Sequence, residues 1–289
     1  MKLKNVLLLY KKSAYKIYFL EQRSYIAEKD KAFEQEELDR FRKAHKEHYA
    51  TLKKIESILK KNKIPFTKSN RGQIVDYDAY DLVITVGGDG TFLEAARGIK
   101  RSVLLGINSS LSYSVGNFCS GNINNFETIL KNILKKSFKV NLFQRLHVDI
   151  DDHRNTVDCL NDVLVCHSNP AAMNRYLLKI GRVKEEQRSS GIWIAAPSGS
   201  SGAINSAGGK RIPRTAKKIQ YMPRELYLGG KWKYRLTGGI LSARKSITVI
   251  SLMRQGRIYI DGTHMDIPFP LGTLMKITLS PHPVKTVSI

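Results

Sequence analysis

Cysteine is scarce: Cys119, Cys159 and Cys166 are the only three in 289 residues, an odd number with no CxxC spacing. That excludes a disulfide scaffold and reads as reduced thiols in a cytoplasmic protein. Long apolar runs are absent too. The longest, at residues 6–9 and 103–107, fall far short of the ~20 residues a membrane span needs, so no membrane association is expected. Acids are few, 25 Asp and Glu against 48 Lys and Arg, which leaves a formal charge of +23. That field favours anionic partners (nucleic acid, anionic lipid or phosphorylated small molecules) without choosing among them. No internal repeat and no low-complexity segment interrupts the chain. A composition 42% hydrophobic and 25% charged excludes a wholly disordered or collagen-like chain. Residues 1–20 carry five Lys and no acid, yet they lack Arg and hold only a four-residue apolar run. They read as a first buried strand rather than a targeting segment.

What is present divides into two patterns, and the length suits about two domains at ~150 residues each. Residues 5–10 form a compact apolar run, as in a strand buried on both faces. From about residue 25 to 61 the apolar residues Phe33, Leu38, Phe41, His45, Tyr49, Leu52, Ile55 and Leu59 recur mostly at three- and four-residue steps. This predicts a long helix, with Glu36–Arg40 and Asp39–Lys43 as i,i+4 ion pairs on its wet face. A surface helix is the plainer reading of it and an oligomer contact the sharper one. Residues 81–86 predict a second buried strand, 92–99 a helix, 103–107 a third strand, and Phe126, Ile129, Leu130, Ile133 and Leu134 a further helix. Strand, helix, strand in this order argues a parallel sheet with crossover helices. After residue 139 the segments become short, often β-branched, and bounded by Gly, Pro or Asn, which is an all-β pattern. The expected division is 1–139 as an α/β domain and 140–269 as an all-β domain, with a tail from about 270 to 289 packing back on the first.

Chemistry concentrates at Gly87-Gly88-Asp89-Gly90-Thr91, where the second buried strand runs into a helix. Open α/β sheets bind ligands at the carboxyl ends of their strands. Glycines let the backbone N–H groups approach phosphate at a helix start. The loop is neither a GxxxxGK[ST] P-loop nor a GxGxxG dinucleotide turn. Its single acid, Asp89, makes sense beside phosphate as a general base on a hydroxyl or as a magnesium ligand. The plain alternative is a glycine-rich turn whose Asp caps a helix. The histidines His147, His153, His167, His264 and His282 show no metal-ligand spacing, and only His264, beside Asp261-Gly262, is worth watching. Residues 210–245 hold eleven basic residues against Glu225. This is a cationic rim for nucleotides or a solvated surface. Aromatic residues for base stacking are sparse there, so nucleic acid is not the expected partner.

GGDGT after a buried strand resembles the phosphate site shared by NAD kinases, diacylglycerol and sphingosine kinases, and phosphofructokinases. Downstream residues separate them. Asn161-Asp162 resembles the Asn-Glu or Asn-Asp pair of NAD kinases. The ungapped stretch from Ser189-Ser190-Gly191 through Pro197-Ser198-Gly199-Ser200-Ser201-Gly202-Ala203-Ile204-Asn205-Ser206 to Ala207-Gly208-Gly209 resembles that family's second glycine-rich motif, and Asp261-Gly262 its late turn. The chain is therefore identified as a member of the NAD kinase family. It stands closest to the branch with plant NADH kinases and mitochondrial-type NAD kinases. It departs from the usual motif at Glu94 (often Arg), Ser190 (often Asp), Ala203 (Tyr) and Ile204 (Ser).

The resemblance implies a Rossmann-like parallel α/β domain and a C-terminal β-sandwich, with the site in the cleft. It implies a kinase that uses ATP, or polyphosphate, with Mg²⁺ to phosphorylate the 2′-hydroxyl of the adenosine ribose of NAD or NADH. Asp89 would take the hydroxyl proton. Gly87, Gly88, Gly90 and Thr91 would line the phosphates, with Phe92 and Asn108 beside them. Asn161 and Asp162 would bind the dinucleotide, Ser198, Gly199, Ser200, Ser201, Ala203 and Ser206 would contact adenine, ribose and phosphate, and Ser190 would stand near the nicotinamide end. No side chain is assigned as a metal ligand. A homodimer or homotetramer is expected, and the missing acid at Ser190 inclines the preference to NADH over the positively charged NAD. Two alternatives stay open: a lipid kinase of the GGDGT group, and a basic nucleotide- or nucleic-acid-binding protein on a degenerate kinase fold.

Overall fold

The computed structural model describes residues 3–21, 33–151, 155–230, 232–263 and 265–288. They form two compact units, the first of residues 1–141 and 285–289, the second of 142–284.

The first unit is built on a seven-stranded sheet of order β2-β1-β3-β4-β19-β6, with β5 pairing β4. Its strands are β1 (Val6–Tyr10), β2 (Phe66–Asn70), β3 (Leu82–Gly87), β4 (Val103–Asn108), β5 (Gly121–Asn122), β6 (Lys139–Phe143) and the returning β19 (Val284–Ser288). β1 pairs parallel with β2 and with β3, and β3 pairs parallel with β4. β3 is buried along its whole length and β1 along all but its last residue, as expected of central parallel strands covered on both faces. Helices α1 (Gln35–Lys61), α2 (Asp89–Gly98) and α3 (Phe126–Leu134) supply the layers. Leu52, Ile55 and Leu59 of α1 and Ile129, Leu130 and Ile133 of α3 join Val6, Leu8, Ile84 and Leu105 in one apolar core.

Only the second half of α1 is buried, through His48, Thr51, Leu52, Ile55, Ile58 and Leu59. The helix ends where Asn62 Nδ2 caps the Ile58 carbonyl at 2.8 Å and Lys63 turns to φ 55°. Of the predicted stretch from residue 25, residues 22–32 lie outside the described residues. The Glu36–Arg40 ion pair forms at 2.6 Å, whereas Asp39 meets Arg42 at 3.1 Å.

The second unit contains two six-stranded antiparallel sheets. One has the order β11-β10-β15-β18-β7-β8, with β7 (Leu146–Ile150), β10 (Asn174–Ile180), β11 (Val183–Ser189) and β15 (Ile247–Ser251), and the other β14-β13-β12-β9-β16-β17, with β13 (Lys218–Pro223), β14 (Gly239–Ser242) and β17 (Met265–Pro268). The strands that matter for the site are β8 (Asn155–Cys159), β9 (Asp162–His167), β12 (Ile192–Ala195) and β16 (Gly256–Ile260). The inner faces share one core: Val148, Tyr176, Leu178, Val249 and Ile277 from the first sheet meet Val163, Val165, Ile194, Ile219 and Ile258 from the second. This is a β-sandwich. The segment expected to return to the first unit from about residue 270 does so only from residue 285. β18 (Leu274–Leu279) stays in the sandwich, because its alternating Met275 and Ile277 belong to that core. No described helix is long and apolar enough to cross a membrane.

Candidate functional site

In the first unit the loops after β1, β2, β3 and β4 all leave the carboxyl edge of parallel strands. Gly88 is extended (φ −112°, ψ −162°) and Asp89 opens α2. The Asp89 carboxylate accepts the Phe118 N–H on Oδ1 at 2.8 Å. No second hydrogen bond is made by Oδ2 among the described residues, and Asp89 is half-buried. Ser109 N–H bonds the Gly87 carbonyl at 3.0 Å, tying the loop after β4 to the end of β3.

Several expected contacts turn out to be internal supports. Phe92 is fully buried and stacks on Phe118, with centroids 5.4 Å apart and planes at 8°, so its ring packs the loop from beneath. Asn108 is buried and binds its own loop, donating from Nδ2 to the Ser114 carbonyl at 2.8 Å and accepting from Ser110 N–H at 3.2 Å. Thr91 is buried with its hydroxyl facing Gly87 and without a hydrogen-bond partner.

Four side chains that the periodicity did not mark also stand here: His48, Arg71, Lys11 and Cys119. His48 is buried on α1. Its Nε2 lies 2.8 Å from the Lys11 carbonyl, which can only accept, so Nε2 carries the proton and Nδ1 takes the Ser109 hydroxyl at 2.8 Å. Burial, with Lys11 adding to it, pushes His48 down to about 4. The neutral ring thus ties α1 to the exits of β1 and β4. Arg71, after β2, donates Nε–H to Glu94 at 3.0 Å. Burial and the neighbouring Arg71 lower the pKa of Lys11. Cys119 is raised to about 12 by burial and the nearby Asp89, which makes it an inert thiol.

In the second unit Asn161 and Asp162 enter β9 beside the end of β12, where Ala195 is paired with Asp162. Ala196 N–H bonds the Asn161 carbonyl at 2.9 Å. The turn Pro197–Ser201 then crosses Asn161 so closely that a Cβ on Gly199 would collide with the Asn161 carbonyl oxygen. Only glycine allows that approach. The Asp261 carboxylate accepts Asn161 N–H at 2.7 Å, and Asn161 Nδ2 donates to Asp162 at 3.2 Å. Burial, and then the charge of Asp261, raise Asp162 to about 7. Burial pushes the Cys159 thiol well up, with Asp261 reinforcing it. A carboxyl group poised this way donates a hydrogen bond when protonated and accepts one when ionised.

The glycine-rich stretch divides by role. Ser198 is buried with an unpartnered hydroxyl, while Ser200 is a strut that accepts Ile212 N–H at 2.8 Å and donates to the Pro197 carbonyl at 2.7 Å. Ser201, Ala203 and Ser206 are exposed, the last two on the short helix α4 (Ala203–Ser206). Ser190 stands apart at the other end of β12, where Gly191 packs on the Val165 carbonyl. At ~3.3 Å per residue it lies roughly 15–20 Å of strand from Asn161. Within this unit it does not share the Asn161–Asp162 site. His153 and His264 lie outside the described residues. No group of three His, Cys, Asp or Glu side chains able to hold a metal gathers among the described residues.

Residues 9–138 match the ATP-NAD kinase N-terminal domain. A probable NADH kinase of rice is 30% identical over 255 residues, 80% of this chain and 78% of its own length. The NADH kinase of Arabidopsis thaliana is 30% identical over 266 residues, 81% of each chain. In fold, the crystal structure of an NAD kinase from Archaeoglobus fulgidus in complex with ATP superposes with a TM-score of 0.69 at 23% identity, covering 98% of this chain and 92% of that one. A glycine-rich loop with its acid on a parallel strand edge, an Asn-Asp pair under a second glycine-rich turn, and relatives matched along most of their length lead to one conclusion: the chain belongs to the NAD kinase family.

Proposed function

We propose that the protein transfers the terminal phosphoryl group of ATP to the 2′-hydroxyl of the adenosine ribose of NADH or NAD, giving NADPH or NADP. The observation that carries this reading is Asp89. One carboxylate oxygen is fixed by the Phe118 N–H and the other makes no hydrogen bond among the described residues, at the start of a helix with Gly87 and Gly88 before it and Gly90 after it. Such a group accepts the hydroxyl proton as the ribose oxygen attacks the γ-phosphorus and the bond to the departing ADP breaks. Phosphoryl transfer is mainly positioning and charge neutralisation, so a base, phosphate-facing amides and cations are what the protein supplies. Magnesium would enter with ATP and neutralise phosphate charge, and Asp89 is the carboxylate of this loop that could meet it.

Asn161 and Asp162 hold the dinucleotide in this reading. The buried Asp162 pairs with a hydroxyl or amide of the ligand, and Ser198, in the turn that crosses Asn161, offers an unused hydroxyl. The two plant relatives carry the name NADH kinase, which supports NADH as the preferred acceptor. We further place the protein in the cytoplasm, in keeping with its three free thiols, and expect a homo-oligomer. Light scattering checks the latter.

The direct test is product formation. Purified protein is incubated with Mg-ATP, or with polyphosphate, and with NADH or NAD. The phosphorylated dinucleotide is then followed with an NADP-specific coupled enzyme. Activity that disappears in Asp89→Asn supports the reading, and a folded protein inactive on both dinucleotides overturns it. The ratio of kcat/KM for NADH and NAD measures the acceptor preference.

A further inference from the structure

The loop after β3 lacks a cation of its own: along α2, the residue one turn after Gly90 on the same helix face is Glu94. Neutralisation of phosphate there has to come from elsewhere in the fold. Parallel pairing aligns the exits of β1, β2 and β3, with Tyr10 opposite both Asn70 and Val86. The next residues, Lys11 and Arg71, therefore emerge beside the GGDGT loop. Arg71 is fixed at both ends. Its backbone N–H bonds the Tyr10 carbonyl at 2.9 Å, and its side-chain Nε–H bonds Glu94 at 3.0 Å. Glu94 is itself held by Gly72 N–H at 2.7 Å. A methyl group built on Gly90 would lie 3.2 Å from Arg71 Nη1, so the guanidinium lies over the loop.

A guanidinium has two hydrogen-bonding edges. Glu94 takes one, and no hydrogen bond is made by Nη1 or Nη2 among the described residues. The ion pair is well shielded, with side chains 20% and 16% exposed. Lys11 supports the same conclusion independently. It lines a cavity with Ser114, the side chain that touches Gly88, and its pKa is lowered by burial and by Arg71. A guanidinium edge without a hydrogen bond, with a second cation on the adjacent strand exit, forms a site suited to a polyphosphate.

We infer that Arg71, aimed by Glu94 and seconded by Lys11, is the residue that binds the phosphates of the phosphoryl donor over the Gly88–Gly90 loop. Glu94 is then a positioning residue: the acid where a cation is missing serves to aim a cation brought in from β2. This rests on the kinase reading above and adds the donor-binding group to it.

The test compares wild type with Arg71→Ala and Arg71→Gln, the second keeping a hydrogen-bond donor for Glu94 should the first fail to fold. Melting curves establish that each variant is folded. KM for ATP is expected to rise about 10- to 100-fold, the worth of a charge-assisted hydrogen bond, with KM for NADH nearly unchanged. Added guanidinium ion should restore part of the rate of Arg71→Ala but none of Asp89→Asn. Arg71→Lys should recover less than half the loss, since an ammonium lacks the second edge. Moving the cation, in Arg71→Ala/Glu94→Arg, should restore ATP affinity more fully than Arg71→Ala alone. Glu94→Gln should raise KM for ATP by a smaller factor than Arg71→Ala. Unchanged KM for ATP in folded Arg71→Ala and Arg71→Gln overturns the inference. So does a rise confined to KM for NADH, which would place Arg71 on the acceptor's pyrophosphate. Equilibrium dialysis of ATP against wild type and Arg71→Ala, without acceptor, reads the same contact if turnover is absent. Turnover absent from wild type while ATP binding still depends on Arg71 would remove the acceptor reading and leave this one standing.

Discussion

Asp89 in the first unit and Asp162 in the second are both acids beside a glycine-rich turn, and the fold treats them oppositely. Asp89 is half-buried at a helix N-terminus, takes one peptide N–H, and has Lys11 and Arg71 on neighbouring strand exits. Asp162 is buried in a sandwich beside a second buried acid, Asp261, and burial raises it to about 7. The open edge of a parallel sheet offers peptide dipoles and cations to an acid. The lip of a β-sandwich offers mainly desolvation. The first environment suits a base that works ionised, and the second suits a carboxyl group that changes its hydrogen-bonding role near neutral pH.

The sharpest way to separate the two acids is to remove their charges. Asp89→Asn should lower kcat about 10²- to 10⁴-fold, the usual worth of a general base, with little change in melting temperature. Asp162→Asn should act mainly on KM for the dinucleotide and leave kcat within about tenfold.

The pH dependence of stability should run in opposite directions in the two units. His48 has its pKa lowered from 6.5 to about 4, so between these values the unfolded chain holds the extra proton. Its contribution is complete above pH 6.5 and is lost as pH falls toward 4, roughly 3 kcal/mol in all. Asp162 is raised from 3.8 to about 7, so there the folded chain holds the extra proton. Its contribution is complete below 3.8 and is lost as pH rises to 7. Both tryptophans, Trp193 and Trp232, lie in the second unit. Denaturant titrations read by tryptophan emission and by helical circular dichroism should therefore show opposed slopes between pH 4 and 7. Asp162→Asn should flatten only the emission-detected one, and the comparison fails if both slopes have the same sign.

Two glycines extend the contrast at smaller scale. Gly199→Ala sets a methyl group against the fixed Asn161 carbonyl and should cost about 2–3 kcal/mol, together with dinucleotide affinity. Gly88→Ala meets only the Ser114 hydroxyl, the end of a side chain that can turn away, and should cost under about 1 kcal/mol. Smallest of all, Ser201→Ala on an exposed turn should change stability by less than about 0.5 kcal/mol. A larger loss of dinucleotide affinity there would mark Ser201 as a direct contact.

The strands rich in Val, Ile and Leu were legible in the sequence because burial on both faces, or regular alternation, leaves a pattern. β2, with the sequence FTKSN, was not, because it is a largely exposed edge strand. β11 (Val183–Ser189, VKEEQRS) shows no apolar alternation, yet it pairs along its whole length with β10 (Asn174–Ile180) and carries only Gln187 and Ser189 inward. The GGDGT loop was legible because glycines around a lone acid are demanded locally, whereas the Asn161-Asp162 pair and the second glycine-rich stretch stood out only through their resemblance to family motifs. Arg71 was not: it stands 23 residues before Glu94, and only the alignment of parallel strand exits brings them together. His48 was hidden by the helical pattern itself. The periodicity selected His45 and Tyr49, whereas the buried face passes through His48 and Thr51. Ser190 was grouped with the second glycine-rich motif because it is near in sequence, but an extended strand carries it away.

β19 forms from residues 284–288, yet it lies between β4 and β6 of the sheet that β1 begins. During synthesis β1, β3 and β4 emerge early, but their sheet keeps an open slot until the sandwich has been made. The order of assembly is therefore the reverse of the order of appearance: the inserted sandwich can mature before the unit that encloses it in sequence. Until then the first part of the β4 edge, at Val103 and Leu104, lacks its partner strand, the kind of surface on which a chaperone acts or two nascent chains stick together.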